Sequence, residues 1–140
     1  MIHTSIELHD SKLLDVAVTG ETLVLTLAAY VHRWENTVSA WVGTGWVQRA
    51  ELRIMALASP VSIESSTLDI DGGCLVLDLT QYDGIFPAPL DSPGTVHLTI
   101  DLKCAGPLQY IGRGFSAVLI GLPRYVEPLP QEWAPEADAT

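Results

Sequence analysis

Ile2, Thr4, Ile6 and Leu8 alternate with His3, Ser5, Glu7 and His9, the two-residue period of a strand with one buried face. Asp10-Ser11 breaks the alternation, and Leu14, Val16 and Val18 resume it. Across the turn signal Thr19-Gly20-Glu21, Leu23, Leu25, Leu27, Ala29 and Val31 point one way, and Thr22, Thr26, Tyr30 and His32 the other. The two runs predict a hairpin. From Arg33 to Gly45 the pattern lapses, and this stretch reads as a loop. It resumes as Trp46, Gln48, Ala50, Leu52, Ile54, Ala56 and Ala58, with Arg49, Glu51 and Arg53 facing water. Good helix formers crowd that window, but its apolar spacing is two rather than three to four, so the expectation is a strand.

Pro60 closes the segment. Val61–Ile63 and Thr67–Ile70 read as short strands, and Asp71-Gly72-Gly73 as a hairpin turn that uses glycine's tolerance of positive φ. Leu75, Leu77 and Leu79 are expected to face inward. Tyr82–Gly94 holds Pro87, Pro89 and Pro93, which suits a connection or a covered edge. Val96, Leu98, Ile100 and Leu102 form a further strand, with His97 and Asp101 on its outer face. After the turn at Ala105-Gly106-Pro107, residues 108–120 return to strand, interrupted at Gly112-Arg113-Gly114, and Pro123–Val126 reads as an edge strand. Eight to ten short strands without alternating helices predict an all-β antiparallel sandwich, with a barrel as the alternative.

The 140 residues have the length of one domain, expected to span 1–126. Residues 127–140, with prolines and acids and no periodicity, are expected to form a flexible tail. The balance of 17 acidic against 7 basic residues, net −10, argues against nucleic acid and anionic membranes as partners. No apolar run approaches the roughly 18 residues of a membrane span. No basic stretch followed by an apolar run marks a leader near Met1. Cys74 and Cys104 lack CxxC spacing, and packed thiols in a reducing cytoplasm are the expectation.

Ile6-Glu7-Leu8-His9-Asp10-Ser11, Gly45-Trp46-Val47-Gln48 and Gly112-Arg113-Gly114 … Pro123-Arg124-Tyr125-Val126-Glu127 together resemble a family of bacterial β-rich proteins without an established activity. The likeness spans most of residues 6–127. It implies a compact bacterial β domain and supplies no catalytic residue.

Few residues offer chemistry. His9-Asp10-Ser11 is adjacent in sequence, but neighbours on a strand project to opposite faces, which argues against a hydrolytic cluster. Asp10 and Ser11 read better as caps of a bend. His9, His32, His97 and Asp101 would form a mixed metal shell only if their strands converged, and they show no recognised ligand spacing. Without convergence they are solvated histidines. Trp34 and Trp41 read as a surface aromatic platform, whereas Trp46 has the inward register. Gly112–Ala117 matches GxGxxA, but a short apolar run ended by Gly121 and Pro123 follows in place of a helix, so the glycines mark a bulge or close crossing. No cofactor is implied. Three readings follow: a binding module for a protein or small ligand using His9, Asp10, Trp34 and Trp41; an enzyme with a shallow His/Asp metal site; and a structural homo-oligomer joined through a sheet edge.

Overall fold

The computed structural model describes residues 2–61 and 67–135. Among them, eight strands form one antiparallel sheet: β1 (Ile2–Thr19), β2 (Thr22–Asn36), β3 (Trp41–Ile54), β4 (Leu68–Leu77), β5 (Thr80–Asp83), β6 (Ile85–Pro87), β7 (Leu90–Leu102) and β8 (Leu108–Pro128). A single 3-10 turn, Gln131–Trp133, follows. The strand order is β5-β4-β7-β8-β3-β2-β1-β6, and β4 also pairs with β1. That last pairing, Lys12 with Asp69 and Leu13 with Leu68, links six strands into a ring. The all-β antiparallel expectation holds, in one sheet that the β4–β1 pairing closes on itself, with β5 and β6 at its two ends.

The alternating apolar positions fill the inside. Ile6, Leu8, Leu23, Leu25, Leu27, Ala29, Leu52, Ile54, Leu75, Leu98 and Ile100 are buried in one cluster, with Phe86 and Phe115 edge-to-face among them. Each of the leucine, isoleucine and phenylalanine side chains contributes about 1.5–3 kcal/mol on removal from water. The β1–β2 hairpin turns at Gly20-Glu21, with Gly20 at φ 62°.

Several local expectations are corrected. β2 and β3 run through residues 33–45, pairing Arg33 with Thr44 and Trp34 with Gly43, and the loop shrinks to Thr37–Ala40. Alternation lapses there because the covered face is the outer one, with Trp34, Gly43 and Gly45 buried, while Arg33, Glu35 and Val42 on the core-parity face are exposed. Leu13 rather than Leu14 is buried, because β1 shifts register between Leu13 and Asp15, and Val18 is exposed. Asp71-Gly72-Gly73 is no turn: β4 passes straight through with a register shift between Ile70 and Gly72. A Cβ at Gly73 would collide with Thr99 O, so glycine serves close strand approach there. The turn comes at Asp78-Leu79, leaving Leu79 fully exposed. The proline stretch contains the end of β5, all of β6 and the start of β7. β8 is one strand through Gly112–Gly114 and on past Pro123, and a Cβ at Gly112 would stand 2.6 Å from Met55 O, the close crossing expected. The short strand expected over Val61–Ile63 lies mostly outside the described residues.

The largest correction concerns the tail. Pro128 still pairs with Thr44, and the Leu129 N–H then bonds Gly43 O at 2.9 Å. From there to Ala134 the chain folds over the outer face of the β2–β3 ribbon. Leu129 is buried against Tyr30 and Trp34, with Trp41 and Ala134 beside them. Leu129 therefore anchors the segment to the sheet while Glu127, Pro128 and residues 130–133 stay exposed along it, and residues 136–140 lie outside the described residues. Trp34 is 4% exposed, so the surface role expected for it fails. A Cβ on its cross-strand partner Gly43 would meet the indole at 2.5 Å, and one on Gly45 would collide with the Tyr30 phenol. Bare glycine backbone makes room for both rings.

The consequence is testable by denaturant unfolding. Trp34→Ala is expected to destabilise the protein by about 3–5 kcal/mol, the cost of emptying a buried aromatic site. Leu79→Ala should leave the midpoint unchanged.

Candidate functional site

Two places on the β1–β2–β3 ribbon gather chemistry, one on each face. The outer one starts at the bend in β1. Pairing with β2 slips between Glu7 and Lys12, and Asp10 takes φ 71°, a left-handed conformation that Asp tolerates better than most residues. Ser11 is 1% exposed, and its Oγ accepts the Tyr30 N–H at 2.9 Å while donating to Glu7 O at 2.5 Å. The bend is held by that hydroxyl. Asp10, expected to share the capping, instead turns its carboxylate to His9, with Nδ1 and Oδ2 3.2 Å apart. The left-handed residue cancels the strand alternation that argued against such a meeting.

Glu7, His9 and Asp10 each offer a ligand atom within 4.8 Å of the others, and among the described residues they are the only such group of three or more. His32, expected to be solvated, is buried because Trp133 stacks on it, and its Nε2 lies 3.6 Å from Glu7 Oε1. His97 and Asp101 are exposed on β7 and join no such group. The four-residue shell expected from the sequence thus divides, with Glu7 as the member that reading missed.

Beside His32, Tyr30 donates its phenol O–H to Glu127 Oε2 at 2.5 Å. Burial, the bond to Glu127 and the charges of Glu127, Glu7 and Asp10 push its pKa well above the ordinary value of 10.

The inner-face site lies where the ribbon extends past the core. Arg33, Glu35, Val42, Thr44 and Trp46 have the same strand parity as the core residues and line a cleft of about 330 Å³. A smaller cavity of about 90 Å³, lined by Thr4, Val31, Arg33, Trp46, Gln48, Leu119 and Pro123, shares Arg33 and Trp46 with it. Trp46 Nε1 donates to Thr44 Oγ1 at 2.8 Å, and Tyr125 packs edge-on to the indole with centroids 5.3 Å apart. Arg33 and Glu35 approach to 3.6 Å as an exposed pair. Trp41, half-buried, stands on the other face against His3 at 5.2 Å. The aromatic side chain that lines the cleft is therefore Trp46, with Tyr125 packed on it, and not Trp34 or Trp41. The signal that could have found it is the shared parity of Arg33, Glu35, Val42, Thr44 and Trp46.

Comparison with protein-family models, curated proteins and solved structures finds no match. Among the described residues no helix is long and apolar enough to cross a membrane. Cys74 and Cys104 are both free thiols.

Ser11→Ala should destabilise the protein by about 1–3 kcal/mol, the cost of leaving the buried Tyr30 N–H unpaired, read as a shifted denaturant midpoint at constant slope. Tyr30 gives a second test. Its folded pKa lies above its unfolded value, so its contribution is complete below about pH 10 and is lost as pH rises through the folded pKa. Alkaline unfolding followed above pH 10 should be shallower in Tyr30→Phe than in the parent protein.

Proposed function

We propose that this protein is a non-enzymatic binding module whose inner-face cleft takes a small neutral polyhydroxyl ligand of the saccharide class. The observation that carries the reading is that two adjoining cavities share Arg33 and Trp46. Such a ligand has a flat C–H face for an aromatic ring and hydroxyls around its edge. Trp46 supplies the ring, held by its Nε1–H bond to Thr44 in the same cleft and flanked by Tyr125. Arg33, Glu35, Gln48 and Thr4 supply donors and acceptors at the margin. The Arg33–Glu35 pair sums to zero charge, which suits a neutral ligand, and a net charge of −10 disfavours a polyanion.

A second open cleft of about 340 Å³, lined by Pro89, Leu90, Asp91, Ser116 and Val118, has neither an aromatic ring nor a paired charge to orient a guest. The cellular part of the proposal is a bacterial cytoplasm, supported by the two free thiols and by the family likeness of the Glu7–Ser11, Gly45–Gln48 and Pro123–Glu127 motifs.

Calorimetric titration of the purified protein with neutral mono- and disaccharides tests this. At least one is expected to bind, and Trp46→Ala and Arg33→Ala are each expected to weaken it about tenfold or more, roughly 1.4 kcal/mol. Silence across the set, or full binding by Trp46→Ala, would sink the reading.

A further inference from the structure

Buried polar atoms in folded proteins find partners, and one that does not invites a cause. The His32 side chain is 7% exposed, and its Nε2 makes no hydrogen bond. The ring is flanked on two sides: Tyr30 meets it edge-on with centroids 5.5 Å apart, and Trp133 stacks at 6.0 Å with the planes 8° apart. Both contacts hold the ring and neither satisfies the nitrogen. Glu7 Oε1 stands 3.6 Å away, beyond hydrogen-bonding reach. That same Glu7 belongs to the group it forms with His9 and Asp10, whose ligand atoms lie within 4.8 Å of one another.

We infer that Glu7, His9 and Asp10 form a binding site for one divalent transition ion of the zinc class, with His32, 3.6 Å from Glu7 and outside that group, joining as the exposed His9 and Asp10 side chains close on the ion. A neutral imidazole with its lone pair on Nε2 is a strong ligand for such an ion, and coordination would satisfy the nitrogen that the fold leaves without a hydrogen bond. Two imidazoles and two carboxylates make a mixed nitrogen and oxygen set. That set suits zinc, cobalt or nickel, whereas calcium takes six to eight oxygens.

The bend in β1 makes the group possible. The left-handed Asp10 brings its carboxylate to the His9 side, and the Ser11 hydroxyl fixes Glu7 against Tyr30. His9 and Asp10 are each 56% exposed, so an ion has an entry path and water can complete its shell. Charge agrees: Glu7 and Asp10 would neutralise a dication without a lysine or arginine between them. Trp133, stacked on His32, lies close enough to report what happens there. This inference is independent of the inner-face cleft and survives or fails apart from it.

The test uses the full chain without a histidine tag, stripped with chelator and titrated with zinc. One equivalent is expected to bind. Cobalt substituted for zinc should give a visible absorption band of mixed nitrogen and oxygen coordination and should quench tryptophan fluorescence, the quenching being reduced in Trp133→Phe. His9→Ala and His32→Gln should each raise the zinc Kd at least about tenfold, while His97→Ala leaves it unchanged. If His32→Gln fails to fold, the exposed His9→Ala and Asp10→Asn variants decide alone. Absence of stoichiometric zinc binding overturns the inference, and so does parental affinity in His9→Ala and Asp10→Asn.

Discussion

The buried hydroxyl of Ser11 holds the point on which the sheet depends. Before it, β1 has β2 on one side and β6 on the other, through Ser5, Ile6 and Glu7. After it, β2 continues on the first side, but the second is taken by β4, through Lys12 and Leu13. One strand therefore changes partner in mid-course, and the ring closes only because it does. A change of partner leaves backbone groups that no ladder can satisfy, and a buried N–H without an acceptor is expensive. Ser11 accepts the Tyr30 N–H and gives its own proton to Glu7 O. The left-handed turn at Asp10 supplies the bend, and the hydroxyl locks it.

Much of this ring was legible in the sequence, because alternation records burial against a single core. Ile6 and Leu8, Leu23 to Val31, and Val96 to Leu102 all lie where their period puts them. What alternation does not record is a second layer. Tyr30, His32 and Trp34 carry the outward parity and are nonetheless buried, because residues about a hundred positions later cover them. Nothing local to β2 announces that. The glycines misled for a related reason. Gly43, Gly45 and Gly73 read as flexible or turning, yet each sits within a strand where a neighbour needs the space of a missing Cβ. Leu129 and Trp133, apolar anchors in an acidic, proline-bearing stretch, were the available hint that the stretch packs.

The candidate chemistry was visible as residue types and mostly hidden as geometry. His9 and Asp10 stand out by their adjacency, yet strand alternation predicts that they point apart, which argues against a hydrolytic cluster there. The bend that unites them is a backbone event at one residue. Trp46 had the correct inward register, but its partners Arg33, Glu35 and Tyr125 come from two other strands. The ribbon thus differs between its faces: one is sealed by the chain's own segment, and the other opens to solvent where the core gives out at Val31.

That sealing has a consequence for how the protein is made. Pairing among β1, β2 and β3 is local and can form early, whereas the cover over Tyr30 and Trp34 lies 97 residues beyond Tyr30, at Glu127 and after. Counted from the end of β3 at Ile54 to Glu127, a synthesis rate of roughly 5–20 residues per second leaves the ribbon half-dressed for roughly 4–15 seconds on the ribosome. Throughout that interval a strip of aromatic surface faces the cell, an invitation to chaperones and to neighbouring nascent chains alike. Charge gives the half-made ribbon little protection, because residues 1–54 hold six acidic against four basic side chains and most of the chain's negative charge is still to be made.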